Sequence, residues 1–464
     1  MRNLEHKHPV MDATLTKIRQ DLFHDPVDYT KNQPDLFIPH RFRPLAPSQV
    51  SGFLEQVRES IPGQEILLYV HLPFCFSECL FCNSFPFPTN KAVQDDYARS
   101  LVKEIGLFAE QGIFAGKKLR GIYFGGGTPT SFSTKDLKAI ISAITMRVPL
   151  AAGCGITVEA HPASLAGTRV TELADIGVTR ISMGCQSFDQ EVLALCNRKN
   201  DAAQIAVIIE KAAKAGVAVN LDMMTGLPGQ TVASVERDLV MIASLGSNAV
   251  EYIRHEIVNP LVVSLLRERP ELMVGKDELF EMVLLTHEWL ERNGYEQNGT
   301  YSNGSQWEYR YHWLHEMPII AFGVRARSYT ATICYDKFEE LTSYARLIER
   351  GVPPVGRYIS LTSREMMYRA LFLGLQLRDG LAINVFRGRF GEDAREVFKS
   401  LLSYLDECGC LEPDEGAIKL SRYGAFFVED VCDAVTDSAL REDSGDLVRS
   451  PNSEGSTSSR LPPS

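Results

Sequence analysis

Short apolar segments alternate with amphipathic segments between residues 66 and 254, and this alternation restricts the possible folds most strongly. The apolar segments have the length and composition of buried strands, and they cover 66–72, 121–124, 155–159, 179–184, 217–224 and 249–254. Helical periodicity is found over 93–114, from Ser133 onward, and over 164–175, 203–215 and 231–245. Such alternation predicts a parallel sheet covered by helices. Six units of this kind suit a partial barrel, and from this pattern alone an open doubly wound sheet is an equal alternative.

The first apolar segment leads into three closely spaced cysteines, Cys75, Cys79 and Cys82, in the spacing C-x3-C-x2-C. Three thiolates without a fourth can hold three irons of a 4Fe–4S cluster and leave one iron open to a second molecule. Structural zinc sites usually have four protein ligands. Spacing alone therefore leaves two alternatives: a zinc site completed by His71, or buried thiols that bind nothing.

Composition limits the partners and the number of domains. The chain of 464 residues exceeds what one hydrophobic core usually serves, so two or more domains are expected. A formal net charge of −11 disfavours a nucleic-acid partner. No apolar run reaches the length of a membrane span, and the first residues lack the apolar core of a signal peptide. We therefore expect a cytoplasmic protein without a membrane partner. Packing is the expected role of the other seven cysteines.

The pattern predicts four regions along the chain. Residues 1–60 form an N-terminal arm with a short helix near 47–60, and residues 61–345 form the barrel together with a substrate region. Residues 346–436 form a smaller α+β domain in which two helices and a hairpin over 410–420 are similar to a winged helix. Residues 437–464 are rich in Ser, Pro, Gly, Asp and Glu, so a disordered tail is expected.

The cysteine run and four later runs together resemble the radical SAM superfamily, within it the HemN-like enzymes named for oxygen-independent coproporphyrinogen III oxidase. The runs are 69–82, 123–130, 158–162, 180–188 and 220–230. The resemblance extends over about residues 66–435. It implies a partial (β/α)6 barrel with a C-terminal domain as a lid. It also implies a 4Fe–4S cluster on the three cysteines, S-adenosylmethionine (SAM) on the open iron, and an electron donor such as flavodoxin or ferredoxin.

The resemblance further assigns residues to two SAM molecules. Those expected at the first SAM are Tyr69, Gly126 and Glu159. Those expected at the second SAM are Gly127, Thr128, Gln186, Arg198 and Asp222. The chemistry fits, because a guanidinium can hold a carboxylate through two hydrogen bonds and a carboxylate can accept from ribose hydroxyls. The plainer alternatives are a core tyrosine, a solvated carboxylate, a surface arginine and a helix-capping aspartate.

Two departures from the family pattern narrow the expected function. Ser84 stands where the oxidase has a fourth cysteine, which argues against porphyrinogen decarboxylation. The stretch 301–310 lacks the His-Asn-x-x-Tyr-Trp run of the heme chaperones, which disfavours heme trafficking. The remaining resemblance is to class C radical SAM methyltransferases and cyclopropane-forming enzymes of natural-product pathways such as antibiotic biosynthesis. We therefore expect transfer of a one-carbon unit from SAM to an sp2 carbon of an unsaturated metabolite. The alternatives are a heme-degrading methyltransferase and a non-catalytic heme-handling protein.

Polar side chains also end the sixth strand. Tyr252 and His255 are the predicted catalytic residues, which would handle the proton of the last step, and Arg254 and Glu256 lie beside them. A packed or surface histidine is the more frequent role for a residue such as His255.

Overall fold

The chain folds around one 13-stranded sheet and a small three-stranded sheet. We used a computed structural model, which describes residues 13–23, 41–84, 86–87, 90–247, 249–297, 301–302 and 308–444. The strands are β1 Arg43–Pro44, β2 Glu65–Leu72, β3 Lys118–Gly126, β4 Leu150–Ala160, β5 Arg180–Gln186, β6 Ala218–Thr225, β7 Ala249–Arg254, β8 Glu296–Gln297, β9 Tyr301–Ser302, β10 Ile319–Phe322, β11 Arg327–Tyr329, β12 Ile333–Lys337, β13 Val355–Ser360, β14 Leu381–Ala382, β15 Leu411–Glu412 and β16 Ala417–Leu420.

Helices cover the sheet and build the C-terminal part. They are α1 Ala13–Lys17, α2 Val50–Glu59, α3 Lys91–Glu110, α4 Thr134–Thr145, α5 Arg169–Asp175, α6 Gln190–Leu195, α7 Ala202–Lys214, α8 Val232–Leu245, α9 Pro260–Glu268, α10 Lys276–Arg292, α11 Glu308–Leu314, α12 Leu341–Glu349, α13 Ser363–Gly374, α14 Ile383–Phe390, α15 Ala394–Val397, α16 Lys399–Glu407, α17 Arg422–Phe426 and α18 Val428–Ser444. Within the described residues, no helix is long and apolar enough to span a bilayer.

The parallel part of the sheet confirms the predicted α/β barrel. Strands β2 to β7 pair in chain order, each parallel to the next, and the series is open between β7 and β10. A seventh parallel strand, β10, joins on the far side of β2. The partial barrel is thus one strand wider than the six-strand pattern indicates. The sequence pattern did not predict β10, because a strand of four residues gives little periodicity.

Antiparallel strands extend both edges of this sheet. One edge continues through β11, β12, β13 and β1, and the other through β9 and β8. The sheet therefore reaches Ser360, beyond the boundary at 345 that the composition predicts for the barrel region. The division of the chain into four regions otherwise stays a prediction.

Local sequence signals explain where the helices begin. The Ser133 side chain accepts from the backbone N–H of Asp136 and caps the start of α4. Thr231 and Ser234 form a capping box at α8, which ends at Gly246 in the left-handed conformation. These caps set each helix directly after a strand, so its apolar face covers the sheet.

Alternation along the strands separates the core from the barrel interior. Leu68, Val70, Ile122 and Phe124 are fully buried beneath the helices. Residues between them, such as Tyr123, point the other way. Polar side chains of neighbouring strands therefore meet inside the barrel, near its C-terminal mouth.

The C-terminal region is an α+β domain, as predicted. Strand β16 pairs antiparallel with β14 and β15, which confirms the hairpin. Helix α18 continues through Ser444, so the expected disorder is wrong for 437–444; the rest of the predicted tail lies outside the described residues. This helix packs on the barrel mouth through Arg254 of β7, whose side chain lies 2.9 Å from Asp430.

Candidate active site

A cavity of about 470 Å³ opens at the C-terminal ends of the parallel strands. The three cysteines line it together with most of the predicted ligand-binding residues. Those residues are Gly126, Gly127, Thr128, Glu159, Gln186, Arg198 and Asp222. The structure thus brings together ten of the thirteen predicted site residues, in the place where barrel enzymes bind their substrates.

The loop that carries the cysteines is held from several sides. The Cys75 Sγ lies 3.3 Å from the Thr128 hydroxyl, and an Arg198 Nη1–H group lies 3.3 Å from the Cys79 Sγ. Side-chain amides of Asn197 and Asn259 donate to backbone carbonyls of this loop, at 2.7 and 2.8 Å. Contacts at its start, middle and end therefore fix the three thiols around one cavity.

These thiols suit a 4Fe–4S cluster chemically. Burial raises the pKa of Cys75 to about 11, so its thiolate needs a positive charge beside it, which iron would supply. Among the described residues, no three His, Cys, Asp or Glu side chains converge as ligands of a single metal ion would. A 4Fe–4S cluster does not require three side chains around one point, because each cysteine thiolate binds a different iron.

The aromatic residues of the cysteine loop have different roles. Phe76 is 75% exposed at the rim of the cavity, so it does not belong to the core. Phe81 also lines the cavity and lies 5.7 Å from the Arg198 guanidinium. Phe74 is fully buried against Tyr97 and other rings, so it supports the loop from behind.

Consecutive glycines let the chain pass close to this loop. Gly126 has a φ of 110°, and a Cβ there would stand 2.5 Å from the His71 ring. A Cβ on Gly127 would stand 2.7 Å from the Phe74 backbone. Both positions therefore require glycine, and they leave an open backbone surface toward the cavity.

Glu159 connects this glycine loop to the barrel interior. Its carboxylate accepts from the backbone N–H of Gly126 at 3.0 Å and from the Tyr123 hydroxyl at 2.6 Å. Burial raises the pKa of Glu159 to about 6, although these two hydrogen bonds act in the opposite direction. The interpretation of Glu159 as a solvated strand end is therefore wrong, because its oxygens are held inside the barrel.

A second polar group lies on β5 and β6. The Ser182 hydroxyl donates to Asp222 at 2.9 Å, and the side-chain amide of Asn220 also donates to it. Burial, together with the nearby carboxylates of Glu251 and Glu159, raises the pKa of Asp222 to about 8. Asp222 is held by strand neighbours and caps no helix.

Arg198 and Gln186 complete this second group. Arg198 is 9% exposed and donates to the Gly184 carbonyl, while its buried Nε has no hydrogen-bond partner among the described residues. Gln186 has a φ of 69° at an irregularity where β5 and β6 change register. Such strained backbone is rare for a side-chain-bearing residue and is common at ligand sites. Arg198 is therefore not a surface arginine.

Three predicted residues lie outside the cavity lining. Tyr69 stacks on Tyr123 and bonds the ring of His71 through its hydroxyl at 2.9 Å. Tyr252 is half-buried in β7, and His255 is buried just after that strand, where its Nδ1 lies 3.1 Å from the Gly226 carbonyl. Burial lowers the pKa of His255 to about 4, so the ring is neutral at pH 7. Their roles stay predictions.

Sequence reasoning missed several residues in and behind the cavity. His161 and Ser182 line the cavity, and Asn259 supports the cysteine loop. Ser182 could have been found, because it stands on the same face of β5 as Gly184 and beside Asp222. Asn259 carries the signal of a helix cap alone, since it directly precedes Pro260 at the start of α9.

Comparisons with known proteins agree with this geometry. The model of the radical SAM superfamily matches residues 69–242, and the model of the HemN C-terminal domain matches residues 361–427. The heme chaperone HemW of Bacillus subtilis is 27% identical over 373 residues, which cover 78% of this chain and 97% of HemW. The anaerobilin synthase of Escherichia coli O157:H7 is 30% identical over 210 residues, which cover 45% of this chain and 47% of that protein.

A solved structure has the same fold. That of coproporphyrinogen III oxidase (HemN) from Escherichia coli superposes with a TM-score of 0.73 at 23% identity, over 83% of this chain and 93% of that one. These matches do not support the narrower assignment to the class C methyltransferase and cyclopropane-forming branch. Residues 69–242 thus match the radical SAM superfamily and residues 361–427 match the HemN C-terminal domain, and the chain is similar to HemW and HemN over most of its length.

Proposed function

We propose that this protein is a radical SAM enzyme that uses two SAM molecules to transfer a one-carbon unit to an sp2 carbon of an unsaturated metabolite. The observation that carries the proposal is a second polar group, Arg198 with Asp222, in the cavity lined by the three cysteines. The first group, Gly126 with Glu159, lies on β3 and β4, whereas the second lies on β5, β6 and the loop after α6. Two separate sets of donors and acceptors favour two ligands.

When bound, the cluster supplies the electron that cleaves the first SAM and gives a radical able to take hydrogen from the methyl group of the second. The three thiolates and the Gly126–Gly127 backbone would hold the cluster and the first SAM. The buried Nε–H of Arg198 would donate to the carboxylate of the second SAM, and Asp222 would accept from its ribose. Water exclusion by the cavity walls protects the reactive carbon.

The last step needs a group that handles a proton. Tyr252 and His255 stay the predicted residues, although both lie outside the cavity lining. Glu256 lines the cavity itself, and burial raises the pKa of its carboxyl group. To act directly, the side chain of Tyr252, His255 or Glu256 must lie within hydrogen-bond reach of the substrate atom that gains or loses the proton.

Labelled SAM tests the reaction. The reconstituted protein, a chemical reductant or a flavodoxin donor, and SAM with a CD3 methyl group would be incubated with a panel of unsaturated metabolites. Deuterium should pass into 5′-deoxyadenosine, and the product should gain a CD2 unit, as a methylene or as a methyl with one solvent hydrogen. Transfer of an intact CD3 group would contradict the radical role of the second SAM.

Binding of SAM without a substrate tests the two sites separately. Equilibrium dialysis of the reconstituted protein should give two SAM molecules per chain, and Asp222→Ala should give one while it keeps the cluster. One SAM in both proteins would contradict the second site.

A heme-handling role is the second candidate, and the similarity to HemW favours it because that match covers 97% of the relative's length. The similarity to anaerobilin synthase covers 47% of that protein, and it favours the alternative in which this protein degrades heme as an enzyme. Titration with heme separates these candidates from the first proposal. Saturable binding of one heme per chain without formation of 5′-deoxyadenosine would favour the chaperone.

A further inference from the structure

Asn259 links the cysteine loop to helix α9. Its side-chain amide donates to the backbone carbonyl of Cys82 at 2.8 Å. Its side-chain oxygen accepts from the backbone N–H of Leu261 at 2.9 Å and caps the helix. Asn259 is 1% exposed, so both hydrogen bonds lie away from water.

The segment around Asn259 is a rigid support. The His255 N–H donates to the Thr225 carbonyl at 2.8 Å, which joins the segment to β6. The Val263 N–H donates to the Asn259 carbonyl, which is the first turn of α9. Asn259 therefore fixes Cys82 relative to two regular elements of the barrel.

A capping role alone does not explain the residue type. Asp and Ser cap helices as well as Asn does, but neither offers an N–H group to the Cys82 carbonyl. A buried carbonyl without a donor costs free energy. Asn serves both needs, because one end of its amide accepts and the other donates.

We infer that Asn259 is a positioning residue for the cluster, which holds the third thiolate ligand in place and polarises its peptide. Outer contacts of metal ligands orient those ligands, and the charge and hydrogen bonding around a cluster tune its reduction potential. The inference rests on the cluster and is independent of the one-carbon chemistry.

Two substitutions separate positioning from capping. Asn259→Asp keeps an acceptor for the Leu261 N–H but removes the donor to Cys82. Asn259→Ser keeps the acceptor and moves its remaining donor, the hydroxyl, one bond nearer to the backbone and away from the Cys82 carbonyl. The matched control is Asn90→Ser, because Asn90 caps α3 by accepting from the Val93 N–H. The full-length protein would be reconstituted with iron and sulfide, and the iron-free form would be melted in parallel.

The expected result is a less stable cluster in a stable protein. Both Asn259 variants should lose iron to a ferrous chelator about fivefold faster than wild type, the factor that corresponds to one hydrogen bond. Their cluster potentials should be lower, and most so with Asp, whose negative charge opposes reduction. Their iron-free forms should fold, and they should melt below Asn90→Ser by no more than the loss of one buried hydrogen bond explains. These results would support the inference.

Two results would overturn it. Iron release at the wild-type rate in Asn259→Ser would show that the donor is not needed. Iron-free forms of both variants that melt well below Asn90→Ser would assign Asn259 to the fold alone. If only Asn259→Ser fails to fold, Asn259→Asp decides: a faster loss of iron supports the inference, and a wild-type rate overturns it.

Discussion

Asp222 is a carboxyl group that the fold keeps in an unfavourable place. It has two donors, Ser182 and Asn220, but two other carboxylates, Glu251 and Glu159, act on it inside the barrel. Groups whose pKa is displaced in this way are frequent at functional sites. In the ligand-free protein the charged form of Asp222 therefore destabilises the fold, and we expect the residue to be kept because a ligand needs it.

Asp222→Asn should stabilise the iron-free protein relative to wild type, and this gain should be larger at pH 8 than at pH 5. The pKa of Asp222 is about 8 in the folded protein, and an unfolded aspartate titrates near about 4. The folded state thus binds more protons between these values, so this residue's contribution to stability falls as the pH rises from about 4 to 8. Removal of the charge should shift the difference in unfolding free energy by on the order of 1 kcal/mol or more.

Melting curves at pH 5, 6.5 and 8 would measure this effect. Asp201→Asn, at the exposed N-terminus of α7, is the matched control. If the difference in melting temperature between Asp222→Asn and wild type is the same at all three pH values, the proton is not held at Asp222.

Cys75, Cys79 and Cys82 should each be essential for the cluster. Replacement of any one by Ala removes one of three thiolate ligands, and the protein should fall from about four irons per chain to a small remainder after anaerobic reconstitution. Cys154→Ala changes a half-buried thiol in β4 and should keep the full iron content. Iron analysis and the visible absorbance of the cluster would measure the outcome. Stoichiometric zinc without iron would contradict the cluster.

At the level of elements, periodicity was enough to predict the barrel strands and their helices. Strand β7 matches its predicted range, β6 is shifted by one residue, and the other four are longer than predicted. Strand β10 could not be predicted, because four buried residues give no period and its partner β2 lies about 250 residues earlier in the chain.

The site was predictable where it depends on local runs, and less so where it depends on packing. The cysteines and the glycine loop follow directly from their motifs. Tyr252 and His255 were predicted from their place at the end of the sixth strand, yet they lie outside the cavity lining. Alternation on β7 points Glu251 inward and Tyr252 outward, and His255 follows the end of β7 with its ring against the Gly226 carbonyl. Asn259 acts through a contact with Cys82, 177 residues away, which no local pattern shows.

A buried ion pair links helix α18 to the barrel. Arg254 of β7 donates to both oxygens of Asp430 at 3.0 and 2.9 Å, and the two side chains are 4% and 1% exposed. Arg254→Met should leave Asp430 without its main cation and cost about 3–5 kcal/mol. Denaturant unfolding and limited proteolysis of the C-terminal domain would measure the loss.

An exposed ion pair provides the control. Arg99 and Asp96 lie on the surface of α3, 70% and 71% exposed, so Arg99→Met should cost about 0–1 kcal/mol. Equal effects of the two substitutions would mean that the Arg254 pair does not hold the helix.

At the scale of the whole molecule, a second buried pair joins the two halves of the sheet. Lys337 of β12 lies 2.8 Å from Glu104 of α3, and both side chains are 0% exposed. The other Glu104 oxygen accepts from the Tyr344 hydroxyl at 2.6 Å and from the Gly323 N–H at 2.9 Å. One carboxylate thus connects an early helix to three later segments, including the turn after β10.

This network also reaches the cysteine loop. The Tyr97 hydroxyl donates to the His71 carbonyl at 2.8 Å and accepts from the Val324 N–H at 2.9 Å. His71 lies in β2, four residues before Cys75. The late strands of the sheet therefore support the start of the loop from behind, which is a reason for their presence beside a six-unit barrel.

The double variant Glu104→Gln/Lys337→Met should be more stable than Lys337→Met alone by about 2 kcal/mol or more. The single change leaves a buried carboxylate without its cation, which is costly. In the double variant, Gln keeps an acceptor for Tyr344 and Gly323, while Met packs on the Phe108 ring, whose centre lies 3.5 Å from the lysine nitrogen. Denaturant midpoints of wild type, both single variants and the double variant would measure the coupling between the two positions. Additive effects of the two single changes would show that the ion pair does not couple the two halves of the molecule.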